Sequence, residues 1–253
     1  MKKSNNIIKI IVGVLFLGLI FLTVFLVQSK QRSKIGDIPE TKIDDTEIFK
    51  NGGDDINTLQ REKENSAKIP SSFLLSVPFA SQAPFGDWSQ PYQDGCEEAS
   101  VIMVKHYLQS KPLSKDQMKS EIDTSVKWQE DVWKGHKDLD AQMTLLLAKQ
   151  YFEINGKVIG VSEDEIKRHV SSGLPVLVPA AGRKLGNPNF TGAGPEYHML
   201  VIIGYDDSKG VFITNDPGTR KGEKYVYKYK TLIDAISGPR ENMQKELIVL
   251  SRN

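Results

Sequence analysis

The chain has 253 residues, 39% hydrophobic and 26% charged, a globular composition sufficient for one or two domains. Lys plus Arg is 33 and Asp plus Glu is 32, a net charge of +1 that argues against a nucleic-acid partner, and no P-loop or dinucleotide fingerprint points to a nucleotide. A single cysteine excludes an internal disulfide framework and a cysteine-rich zinc site, and the four histidines form no His-Glu-x-x-His pair, so no metal or cofactor is expected.

In chain order, positions 1–9 form a short tail carrying Lys2, Lys3 and Lys9. Positions 10–27, IIVGVLFLGLIFLTVFLV, carry no charge and would reach about 27 Å as a helix, close to the ~30 Å hydrocarbon core. The run is longer than a signal-peptide core, and Val27-Gln28-Ser29 is a poor cleavage site, so an uncleaved anchor is expected. Basic residues flank both ends, and a short N-terminal tail before a large domain puts that domain outside the cytoplasm. The expected location is therefore the cell membrane, crossed once. Positions 28–73 are mixed in charge and rich in Asn, Gly, Ser and Thr, which reads as a polar linker.

Positions 74–253 read as one globular domain. SVPFASQAP predicts a short strand ending in a turn. DGCEEASVIMVKHYLQ predicts a helix entered at Cys96, with Ala99, Ile102, Met103 and Tyr107 on one stripe. Ser114 with Gln117 reads as a capping box opening a helix over LSKDQMKSEI, and DAQMTLLLAKQYF as a third helix. Ser162 with Glu165 opens another, which Gly173 closes. LPVLVPA, HMLVIIGY, VFITND, KYVYKY and KELIVLS read as strands. Helices first and antiparallel strands afterwards give an α+β class.

Cys96 at a helix N-terminus is the chemical focus. The free N–H groups and the positive helix end favour a thiolate. The alternative is a small buried side chain, the usual fate of a free cysteine. A base is supplied by His198, which opens the strand HMLVIIGY. If Tyr205 faces Val211 across the turn, Leu200 lies opposite Asp216, and His198 shares a face with Asp216 while Asn215 points the other way. A one-residue slip would exchange the two. His106, His136 and His169 read as ordinary surface or half-buried residues. Residues 183–197, with Phe190 and Tyr197 among glycines and prolines, read as a lip over a cleft, and Trp88 as a further apolar contact to substrate.

VPFASQAP, DGCEEAS, GRKLGNPNFTGAGPEYHMLVIIGYD and NDPG, in that order, resemble the peptidase C thirty-nine-like group of papain-like cysteine peptidases over about residues 74–250. The resemblance implies a papain-like fold with Cys96 as nucleophile, His198 as base and Asp216 as the acid orienting it. It also implies a glutamine at the oxyanion, best matched by Gln82, with Gln90 and Gln93 as rivals. One departure is Glu97-Glu98 where many relatives have Gly-Pro. Two carboxylates beside the thiol would raise its pKa, or select a cationic substrate if they face the cleft. The expectation is a membrane-anchored thiol hydrolase of peptide or related amide bonds, acting on a peptide or cell-surface substrate. Its alternatives are a papain-like module that binds peptide or glycan without turnover, and a thiol acyltransferase.

Overall fold

The computed structural model describes residues 69–238 and 244–252. The chain divides into two units, Met1–Ser66 and Ala67–Asn253, and every described residue belongs to the second. The expected tail and anchor, and the expected linker as far as residue 68, lie outside the described residues. Among the described residues no helix is long and apolar enough to cross a membrane.

The first strand, β1 (Ser72–Leu74), straddles the expected boundary between residues 73 and 74, so the folded part takes in the end of the expected linker. The strand expected over SVPFASQAP does not form. Leu75 N–H still bonds to Ile203 O at 2.8 Å, but the chain then leaves the sheet. Pro78 has no N–H for a ladder, and the Asn215 side-chain amide takes the carbonyls of Val77 and Pro78 at 3.1 and 3.4 Å instead.

Three helices follow. Helix α1, Cys96–Leu108, begins at Cys96 as expected, yet every residue from Cys96 to Val104 is buried, so no single stripe describes it. It packs against the sheet and against both following helices, which leaves its first nine residues no solvent face. Helix α2, Lys115–Trp133, has the expected capping box: Ser114 Oγ accepts from Gln117 N–H at 3.1 Å, and Gln117 Oε1 from Ser114 N–H at 2.8 Å. It runs well past the expected end, because Met118, Ile122, Val126 and Gln129 carry one buried face onward. Helix α3, Ala141–Gln150, is capped by Asp140, whose carboxylate accepts from Met143 N–H at 2.8 Å.

The second half is built on strands. Strand β2, Asn155–Gly160, was not foreseen, since a segment holding two glycines reads as turn. A Cβ at Gly156 would lie 2.6 Å from Val249 O, so the neighbouring backbone demands glycine there. Helix α4, Glu163–Ser171, starts at Ser162, which accepts from Glu165 N–H, and ends before Gly173 at φ +91°. Then come β3 (Val176–Ala181), the single turn α5 (Gly182–Leu185), β4 (Tyr197–Asp206), β5 (Val211–Asn215), β6 (Tyr225–Lys228), α6 (Tyr229–Ala235) and β7 (Glu246–Ser251). The sheet order is β2-β7-β3-β4-β5-β6, with β1 also on β4, and all pairs are antiparallel.

The β4–β5 register departs from the expected one at its turn and meets it at its far end. Tyr205 faces Phe212 rather than Val211, because the turn takes four residues and Asp206 pairs with Val211. A bulge at Ile203 then absorbs one residue, and Ile202 faces Thr214 while Val201 faces Asn215. The neighbours of the bulge are fixed from the other side: Leu75 uses the Ile203 carbonyl, and a Cβ at Gly204 would lie 2.6 Å from Phe73 O.

Candidate active site

His198 lies in the second position of β4 and Asp216 directly follows β5. His198 Nε2 meets Asp216 Oδ1 at 2.8 Å, with the histidine 2% and the acid 0% exposed. Asn215 points the other way, toward Val77 and Pro78, as the alternation of a strand requires. Gly218 makes room for the ring: a Cβ there would stand 2.7 Å from His198 Cε1. Its N–H donates to Asp216 Oδ1 at 3.0 Å. Burial pushes the Asp216 carboxyl up, but His198, Tyr227 and the Gly218 N–H outweigh it and hold the group below its ordinary value.

Helix α1 brings Cys96 to the same sheet. Ser100, one turn further along, lies over β4 with its hydroxyl 3.4 Å from Met199 O. The α1 N-cap is Gly95, which brings no side chain, so the first-turn N–H groups beside Cys96 are uncapped. Cys96 is buried, and its thiol donates to Glu97 Oε2 at 3.0 Å rather than to the imidazole. The lowered thiol pKa expected from the helix end is therefore reversed. Burial pushes the Cys96 thiol well up, and Glu97, Asp138 and Glu98 add to the shift by repelling a thiolate.

The two glutamates do not line an open cleft, since both are 1% exposed. Glu97 Oε1 accepts from Leu139 N–H at 2.6 Å, and Glu98 Oε1 accepts from Gln129 Nε2 at 2.6 Å. His136, half-buried within the range expected, turns its side chain inward to 3.5 Å from Glu98 Oε1. Burial pulls the His136 imidazole down, but Glu98, Asp94 and Glu130 outweigh it and leave it raised.

Gln82 has a different task from the one expected. Its Nε2 donates to both Tyr92 O and Gln93 O at 3.0 Å, so neither amide hydrogen is left for an oxyanion. Its own N–H and the Ser81 hydroxyl hold Pro217 O. Residues 81–82 thus tie the turn before Cys96 to the turn after Asp216. Gln90 and Gln93 are exposed, and Gln90 Nε2 bonds Asp94.

The 183–197 segment closes on itself at its base, where Gly182 N–H bonds Glu196 O. Phe190 sits edge-on to the His198 ring, with centroids 5.4 Å apart. Tyr197 corrects the expectation of a lip residue: it is buried in β4, and its hydroxyl donates to Leu139 O at 2.6 Å, which commits it to the interior. Trp88 is 40% exposed in the loop ahead of Cys96. The sequence reading missed Asn187 and Tyr227, both buried and both bonded to Asp216. An Asn among loop glycines and a Tyr in a short aromatic strand gave no signal of their own.

Residues 74–245 match the Peptidase_C39 like family. The chain belongs to that family. Among solved structures it is similar to a putative C39-like peptidase from Bacillus anthracis, with 19% identity over 72% of this chain and 98% of that one, and a TM-score of 0.48. It is also similar to xylellain, a cysteine protease from Xylella fastidiosa, with 13% identity over 73% and 87%, and a TM-score of 0.38. A comparison with curated proteins gives no match. The C39-like domain thus carries a cysteine on a helix N-terminus and a histidine–aspartate pair on the adjoining sheet.

Proposed function

We propose that this C39-like domain is a thiol hydrolase of peptide or related amide bonds, using Cys96, His198 and Asp216. The observation that carries this reading is the buried bond of Asp216 to His198, on the strand that α1 packs against. His198 presents its Nε2 to Asp216, which leaves Nδ1 to receive the Cys96 proton. For this the thiol turns from Glu97 toward the ring. Its sulfur attacks the carbonyl carbon, and the uncapped first-turn N–H groups of α1 face the oxygen that gains charge. The imidazolium then protonates the departing amine, and water resolves the thioester. Phe190 and Trp88 offer apolar contacts to the substrate. The apolar 10–27 run tethers the domain to a membrane, on its extracytoplasmic side, where a peptide or cell-surface substrate is met.

A second reading has its own observation. A thiol bonded to Glu97 and a Gln82 amide bonded to backbone also suit a cleft that holds peptide without cleaving it. Incubating the full-length protein with a degenerate peptide library, read by mass spectrometry, separates the two. Hydrolysis predicts cleavage that falls about 10²-fold or more in Cys96→Ala and in His198→Ala. Peptides retained intact by the unaltered chain would establish the binding module instead.

A further inference from the structure

Asp216 is bonded on both oxygens, by donors from separate elements. Oδ1 accepts from His198 Nε2 at 2.8 Å and Gly218 N–H at 3.0 Å. Oδ2 accepts from the Tyr227 hydroxyl at 2.6 Å and Asn187 Nδ2 at 3.1 Å. The last two donors are themselves joined, Asn187 Nδ2 donating to the Tyr227 oxygen at 2.8 Å.

The direction of these bonds is fixed from outside. Asn187 Oδ1 accepts from Asn189 N–H and from Asn189 Nδ2, each at 3.0 Å, so its own amide hydrogens face Asp216 and Tyr227. Tyr227 receives one of them and sends its proton to Asp216. Every bond then points a proton at the carboxylate, which has none to return. With Asp216 ionised, the hydrogen of the His198–Oδ1 bond sits on Nε2, which in a neutral ring leaves Nδ1 as the acceptor.

We propose that Asn187 and Tyr227 are positioning residues that hold His198 in its Nε2–H tautomer by keeping Asp216 a pure acceptor. The proposal deepens the hydrolase reading and rests on it for the role of Nδ1. The physical need is clear from burial. A carboxylate with no solvent contact and fewer donors meets its desolvation cost by taking a proton. A protonated Asp216 would donate to His198 Nε2, move the ring hydrogen to Nδ1 and remove the base that Cys96 requires.

The test uses the full-length protein labelled with ¹⁵N-histidine, which gives four residues to resolve. A Cys96→Ala background removes any ion pair with the thiol, and about pH 9 keeps an ordinary imidazole neutral. The reference chain is expected to show His198 as the Nε2–H form. Tyr227→Phe keeps the ring that packs on Tyr225, with centroids 4.8 Å apart, and removes only the donor. This variant, and more strongly Tyr227→Phe with Asn187→Ala, is expected to raise the Nδ1–H fraction about tenfold, the scale of one hydrogen bond to a charged group. If the double variant fails to fold, as read by its melting curve, Tyr227→Phe alone decides. An unchanged tautomer ratio in folded variants overturns the proposal. The Nε2–H form in the reference chain, together with no peptide cleavage by the unaltered chain that keeps Cys96, would overturn the hydrolase reading alone.

Discussion

A carboxylate with no solvent contact is costly unless its charge is met by donors, and the pocket of Asp216 supplies four. Gly218 contributes twice, through its N–H and through the absence of a side chain. Gly218→Ala is expected to push the His198 ring off Asp216 Oδ1, because the added carbon would lie 3.0 Å from Nε2 and 3.1 Å from Phe190 Cε1. Peptide cleavage should fall about 10²-fold or more at temperatures where the variant is still folded, with the melting temperature lowered by the overpacking. A variant with full activity would show that the ring has room the geometry denies it. Asp216 and His198 were legible in the sequence because strand alternation sets which side chains share a face. The bonds of the Gln82 amide were not legible for the opposite reason: where an amide in a loop points depends on carbonyls that only the folded chain brings near it.

Elements were most legible where local chemistry fixes their ends. The Ser114–Gln117 box, Asp140 and Ser162 all cap helices, each with the side chain bonded to the N–H three residues on. Ser114→Ala is expected to cost about 1 kcal/mol of stability, read by urea denaturation, with cleavage unchanged. A loss below the error of that measurement would mean the exposed cap contributes nothing to α2. Elements were least legible where tertiary contacts decide. Residues 123–133 extend α2 because Val126 and Gln129 find cover beneath other elements. Gly156 and Gly160 sit in a strand because β7 pairs with it along its whole length. Burial all round α1 hides its amphipathic signal for the same reason.

At the scale of the whole molecule, the interior beside Cys96 is unusually acidic. Burial pushes the Glu97 carboxyl well above its ordinary value, and repulsion from Glu98 adds to the shift. A carboxyl raised in the folded state contributes stability that is complete below its unfolded pKa, about 4.3, and is lost as pH rises through the folded value. Glu97→Gln removes that dependence while keeping an acceptor for Leu139 N–H. The variant should therefore gain melting temperature relative to the parent at pH 8 more than at pH 5. An equal difference at both pH values would show that Glu97 ionises without penalty.

The bulge at Ile203 carries a consequence for how the chain tolerates length changes. Pairing from the turn up to Gly204 follows one register, and pairing from Ile202 onward follows another, one residue apart. Continued unbroken, the turn's register would turn His198 and Asp216 to opposite faces of the sheet. The meeting of His198 with Asp216 is thus a matter of parity, and Ile203 is the odd residue that sets it. Extra residues inserted at 207–210 can loop outward and leave both faces as they are. Deleting one residue at 203 while the turn is kept would preserve every side chain of the site and separate His198 from Asp216.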